Sequence, residues 1–99
     1  MAVLFIEEFT EQGFIGGGPT TMGKQPSIAV QTVAIGGTSE QSDAFDTATR
    51  VVRLHTDAIC SYRFGADPTA SATTPRMAAG QTEYFSVQPG HKVAVITNT

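Results

Sequence analysis

Arg50-Val51-Val52-Arg53-Leu54-His55-Thr56-Asp57-Ala58-Ile59-Cys60-Ser61-Tyr62-Arg63-Phe64 decides the fold class. Val52 and Leu54 alternate with Arg53, and Cys60, Tyr62 and Phe64 alternate with Ser61 and Arg63. A period of two places one set of side chains on one face and the other on the opposite face, the pattern of half-buried β-strands. Thr56-Asp57 separates the runs, so two short strands with a tight turn are expected to pair as a hairpin. Cys60 shares its face with Tyr62 and Phe64 and is expected to be buried.

Working outward, Gly65-Ala66-Asp67-Pro68 breaks the chain, and residues 69–75 are small and hydroxylic, a loop expected to bulge outward. Arg76 to Ala79 offers a brief pairing. Thr82 to Gln88 reads as a strand, Pro89-Gly90 as a turn, and His91 to Thr97 as a last alternating strand, predicting a second hairpin. Towards the N-terminus, Thr38 to Thr49 is polar and acidic around Phe45, a long connection with a helical turn or an edge pairing at Phe45. Ser27 to Ile35 is a β-branched run bounded by Pro26 and Gly36-Gly37, another strand. Gly13 to Gly23 holds five glycines and Pro19 and is expected to be a loop, since glycine loses the most entropy on ordering and proline lacks a ladder donor. Val3 to Phe9 reads as a first strand.

No stretch repeats its hydrophobic residues every 3.6 positions. Six to eight short strands separated by turn signals predict an all-β fold, a small antiparallel β-sandwich (jelly-roll-like) or barrel. Residues 1–99 are expected to form a single β domain, with an extended N-terminal segment and glycine-rich loop over about 1–26.

Hydrophobic residues make up 40% of the chain and charged residues 15%, against about 25% charged in ordinary soluble domains. Surface of this kind is cheap to desolvate and suits an interface. The net charge is −3, and the six cations are scattered singly, which argues against a nucleic-acid partner. Cys60 is the only cysteine, so no intrachain disulfide forms and a reducing site of synthesis is favoured. The opening Met1-Ala2-Val3-Leu4-Phe5-Ile6-Glu7-Glu8 has no basic region, and its apolar run is too short for a signal peptide or a span, so synthesis in the cytoplasm and no membrane partner are expected.

The chemical motifs are all incomplete. Gly18-Pro19-Thr20-Thr21-Met22-Gly23-Lys24 matches seven positions of a phosphate-binding loop, but Gln25 stands where Ser or Thr must hold magnesium, and no helix follows. His55, Asp57 and Cys60 are the residue types of a nucleophilic set, yet a buried thiol is inert. His55, His91 and Cys60 lack metal-ligand spacing, and Asp43-x-x-Asp46 alone suits a solvated turn better than calcium. No enzyme activity, cofactor or metal is therefore expected. Among hydrophobic residues, Phe5 is expected in the core. Phe14 and Ile15, in glycine-rich surroundings, are hard to bury at home. The candidate interface set is Phe5, Phe9, Phe14, Ile15, Arg50 and Arg53.

Four segments carry a family resemblance: Gln31-Thr32-Val33; Ser42-x-x-Phe45-x-x-x-Thr49-Arg50-x-Val52-Arg53; Phe64-Gly65-x-x-Pro68-Thr69-Ala70; and Glu83-Tyr84-Phe85-x-Val87-x-x-Gly90-x-Lys92-x-Ala94-Val95. In these the chain resembles small virion-associated proteins of tailed bacteriophages. The resemblance implies a particle component made in the host cytoplasm, foremost a capsid decoration (cement) protein bound to the major capsid protein, or else a neck or tail accessory protein. It also implies partners among other virion proteins and self-association, with a trimer as one form. In this expectation the first strand adds to a partner's sheet edge, while loops 13–26 and 65–81 reach to neighbours. A carbohydrate- or receptor-binding β module is the competing reading, weakened by the absence of Trp.

Overall fold

The structure is a computed structural model describing residues 2–15, 18–23 and 26–98, with the backbone alone over 12–15 and 18–23. The described residues are all-β. In chain order the strands are β1 (Val3–Phe9), β2 (Gln12–Ile15), β3 (Gly18–Gly23), β4 (Ala29–Ala34) and β5 (Glu40–Gln41). They continue with β6 (Val51–Thr56), β7 (Cys60–Gly65), β8 (Arg76–Met77), β9 (Thr82–Ser86) and β10 (Lys92–Thr97). Eight of them form two four-stranded antiparallel sheets, β4-β1-β6-β9 and β5-β10-β7-β8, packed as an open sandwich rather than a closed barrel. The remaining two, β2 and β3, pair with each other.

Connectivity differs from the expected hairpins. β6 and β7 do not pair: β6 lies between β1 and β9, and β7 between β10 and β8. Likewise β9 and β10 lie in opposite sheets. Both connections are arches that carry the chain across the core. At the first, Thr56 Oγ1 donates to Ala58 O (2.6 Å) and accepts from Ala58 N (3.2 Å), holding a local bend. Asp57 then bonds to β1, its carboxylate accepting from Val3 N (2.7 Å) and its own amide donating to Val3 O (3.3 Å). With its polar groups committed to β1, the bend cannot close a β6–β7 ladder. At the second arch the expected turn is present, with His91 N donating to Gln88 O (3.2 Å) and Gly90 at φ +79°. That left-handed angle at the third position defines a type II turn and favours glycine.

Only β1 to β4 and β7 to β8 join neighbours within a sheet; every other step among the eight strands crosses the sandwich. This is the strand order of a jelly roll with one change. The place between β4 and β6, which the last strand of a jelly roll takes, is filled by the first. Both edges of β1 are consequently occupied, by β4 and β6, so β1 cannot add to a partner's sheet as expected. Within the Gly13 to Gly23 stretch expected as a loop, the described residues form strands, β2 pairing with β3.

The core lies between the sheets. Leu4, Ile6, Val33, Val52 and Leu54 meet Cys60, Met77, Val93 and Val95, with Phe45 closing one end. Tyr62, Phe64 and Phe85 add a partly buried aromatic cluster with centroids 5.1–5.9 Å apart. The 38–49 connection makes a short edge pairing at β5, and Phe45 is buried just beyond it.

One buried core-facing position is charged. Glu8 shares the parity of Leu4 and Ile6 and is 2% exposed. Its carboxylate accepts from Thr49 Oγ1 (2.8 Å), Asp46 N (2.9 Å) and Gln31 Nε2 (3.2 Å). Gln31 in turn accepts from Asp43 N (2.9 Å) and donates to Asp43 O (3.3 Å). Desolvating a carboxylate is costly unless its lone pairs are filled, and these donors fill them while pinning the 42–49 segment across the end of the sandwich.

Candidate docking surface

The outer faces of the two sheets are treated differently. On the outer face of β5-β10-β7-β8, Ser61 and Ala94 point away from the core yet are fully buried. The 66–75 segment covers them. Ala70 N donates to Ser39 Oγ (2.9 Å), Gln41 Nε2 donates to Asp67 Oδ1 (2.7 Å) and Pro68 O (2.8 Å), and Asn98 Nδ2 donates to Ala72 O (3.3 Å) and bonds Ser61 Oγ. The segment expected to bulge outward therefore lies flat, because its carbonyls and amides find partners on its own sheet. The cleft beside it, bounded by residues 37–41, 68–70 and Ile96, has no aromatic ring for stacking a sugar.

The outer face of β4-β1-β6-β9 is closed at one end and bare at the other. Phe9 and Val51 have outward parity but are 0% and 4% exposed, and stand apart from the core between the sheets. Strand β3 runs beside β6 and β9, and Tyr84 packs its ring on Phe9 at 6.5 Å. Further along β1 Phe5 is 42% exposed, and on neighbouring β4 Val30, in register with Glu7, is 69% exposed. Register places Phe5 between Thr32 and His55, and Glu7 between Val30 and Arg53. Phe5, Glu7, Val30, Arg53 and His55 border a shallow hollow floored by Ile6, with a volume of about 460 Å³. Phe5 and His55 stand with ring centroids 6.2 Å apart, and His55 Nδ1 bonds Thr82 Oγ1 (2.8 Å), which fixes the imidazole.

Of the expected interface residues, the structure brings together Phe5 and Arg53. Phe5 is a correction to its expected core placement: β1 alternates two apolar sets, and pairing with β4 and β6 turns Leu4 and Ile6 inward. Phe9 is corrected in the opposite sense, since it is fully buried. Arg50 is exposed, but its Nη1 donates to Thr47 O and Thr49 O (both 3.1 Å), tying down the 46–49 turn away from the hollow. The side chains of Phe14 and Ile15 lie outside the described residues. Sequence reasoning missed Val30 and His55 as surface members. The available signal was the charge-free run from Gln25 to Ser39, which supplies β4.

The near-miss motifs come apart in space. Cys60 is fully buried with Sγ 3.6 Å from Thr56 Oγ1, His55 faces outward on the other sheet, and Asp57 holds Val3 N. Burial pushes the Cys60 thiol above its ordinary value of 9.0, its hydrogen bond with Thr56 offsetting part of the rise. Burial likewise raises Tyr62 above 10.0, with the charges of Glu83 and Cys60 adding to it. Gly18–Gly23 is a strand rather than a turn opening a helix, and Lys24 lies outside the described residues. Asp46 Oδ1 accepts from Ala48 N (2.9 Å), a local turn. Among the described residues no three His, Cys, Asp or Glu side chains converge on a point where a metal ion would sit. No family model, curated protein or solved structure matches the chain.

Proposed function

We propose that the protein is a structural component of a phage particle, a capsid decoration protein that docks on the assembled shell through the bare end of the β4-β1-β6-β9 sheet. The observation that carries this reading is the asymmetry of the two outer faces. One is sealed by the chain's own 66–75 segment, while the other presents Phe5 and Val30 on a rigid sheet. Aromatic and apolar anchors bordered by polar groups, here Arg53, His55 and Glu7, are the make-up of a docking patch. The resemblance of the segments from Gln31 onward to small virion-associated proteins supports the same reading.

Such a protein works by mass action. A domain that binds the assembled shell and not its free subunits stabilises the shell by about 2.7 kcal/mol per site at 100 times its Kd. Repetition over a lattice multiplies that modest gain. The test is co-sedimentation of tagged protein with purified heads, comparing wild type with Phe5→Ser. The account expects wild-type protein to pellet with heads, and the variant to fold normally but stay in the supernatant. Wild-type protein that pellets only with tails moves the position to the neck or tail, and protein that pellets with neither removes the reading.

A further inference from the structure

The four sheet edges of the sandwich are not equally protected. An exposed edge is a template for another strand, and proteins blunt it by shortness or by inward-pointing charge. Strands β5 and β8 are two residues long. Strand β9 carries Glu83, which has the inward parity of Phe85 yet is exposed. Strand β4 has neither device: it is six residues long and lies within a run free of charge from Gln25 to Ser39.

Its hydrogen-bonding capacity on that edge is open. Ile35 N donates to Ala2 O (3.0 Å), so by antiparallel alternation Ala29, Gln31 and Val33 also face β1. Val30, Thr32 and Ala34 therefore turn their N–H and C=O groups to the free edge, where no strand pairs with them among the described residues. Two shallow grooves run between β4 and the 40–46 segment. Glu40 and Asp43 line one, and Asp43 and Asp46 the other, with no Lys or Arg in either. Lys92 donates instead to Gln41 Oε1 (3.5 Å). On the opposite side of the edge lies the apolar Val30 and Phe5 surface.

We propose that the β4 edge accepts an extended strand from a partner protein, one whose side chains alternate between apolar and basic residues. The apolar set would continue the Val30 face, and the basic set would meet Glu40, Asp43 and Asp46. Main-chain bonds to Val30, Thr32 and Ala34 would supply a sequence-tolerant share of the affinity, and the two flanks its selectivity. A second copy of this chain fits less well, because a two-fold pairing about Thr32 would bring the acidic flanks of both copies together. This inference rests on the docking reading above, but it uses the edge of the sheet rather than its face.

The test uses two synthetic peptides with blocked termini, seven residues long, alternating Val with Lys or Val with Glu. Amide exchange is followed by NMR in the full chain. The expected result is that the Lys peptide slows exchange at Val30, Thr32 and Ala34 at least tenfold, weakens with added salt and loses several-fold in affinity with Asp43→Asn. Thr32→Pro, which removes an outward donor at an edge position that tolerates proline, should abolish the effect, while Ile59→Ser, in the exposed bend between β6 and β7, should leave the main-chain protection in place. Unchanged exchange at the three amides overturns the proposal, and equal binding of the Glu peptide overturns its charge component. Slow exchange in the free protein together with a dimer's mass overturns it in favour of self-pairing. Head binding that survives Thr32→Pro alongside peptide failure removes this inference and leaves the docking reading intact.

Discussion

Replacing Glu8 with Ala removes the acceptor from three donors at once: Thr49 Oγ1, Asp46 N and Gln31 Nε2. The Gln31 amide is only part-buried and can turn to water, so it adds little. The other two bonds go to a carboxylate, each contributing about 1.5 kcal/mol at the low end of charge-assisted bonds. The expected loss is therefore about 3 kcal/mol, a large share of the roughly 5–15 kcal/mol that holds a domain of this size. For a 60–100-residue domain that is a fall in melting temperature on the order of 12–24 °C. Glu8→Gln should cost less, about 1–2 kcal/mol, because one oxygen still accepts. Its new NH₂ would meet the Nε2 of Gln31, which cannot flip without breaking both bonds to Asp43. Urea unfolding of Glu8→Ala, Thr49→Ala and the double variant gives the coupling directly, expected near 1 kcal/mol. A Glu8→Ala change under about 0.5 kcal/mol would refute the view that this carboxylate latches the 42–49 segment to the sandwich.

Two further predictions concern the core and the arches. Because Cys60 and Tyr62 are both raised in the folded state, their contribution to stability is complete at neutral pH. It falls once the unfolded chain begins to ionise near 9.0 and 10.0, and goes on falling until pH passes the raised folded values. Melting curves from pH 8 to 11 should show this decline, and Cys60→Ala should remove the part that begins near 9.0; a decline unaltered by that change would contradict it. Gly90→Ala should cost about 1–2 kcal/mol in chemical unfolding through backbone strain alone, since the added Cβ meets nothing within 4 Å. Gly37→Ala, equally open and without a left-handed angle, should be neutral or slightly stabilising, and similar costs at both sites would contradict the turn assignment.

Alternation made the strands legible, and with them the all-β class and the burial of Cys60. Pairing was not legible. A short polar bend such as Thr56-Asp57 serves a hairpin and an arch equally well. What separates them is where Asp57 finds its partners, and those lie on Val3, more than fifty positions away. Nor did β1 declare its inner face. Val3 and Phe5 are as apolar as Leu4 and Ile6, and each set is followed by a glutamate. The core took the set containing Glu8, because Thr49, Asp46 and Gln31 converge to satisfy it. The proposed docking surface was half visible: Phe5, also expected in the core, and Arg53 stood in the expected interface set, whereas Val30 and His55 come beside them only through register. Phe9 looked equally available from its outward parity, but it is fully buried with the Tyr84 ring against it.

Hydroxyl-radical footprinting of the protein on purified heads, read by mass spectrometry against free protein, tests most directly which side of the sandwich docks. The account predicts strong protection at Phe5, Val30 and His55, with the 66–75 segment as reactive as in solution. Protection confined to 66–75, with Phe5 and Val30 still fully labelled, would contradict it.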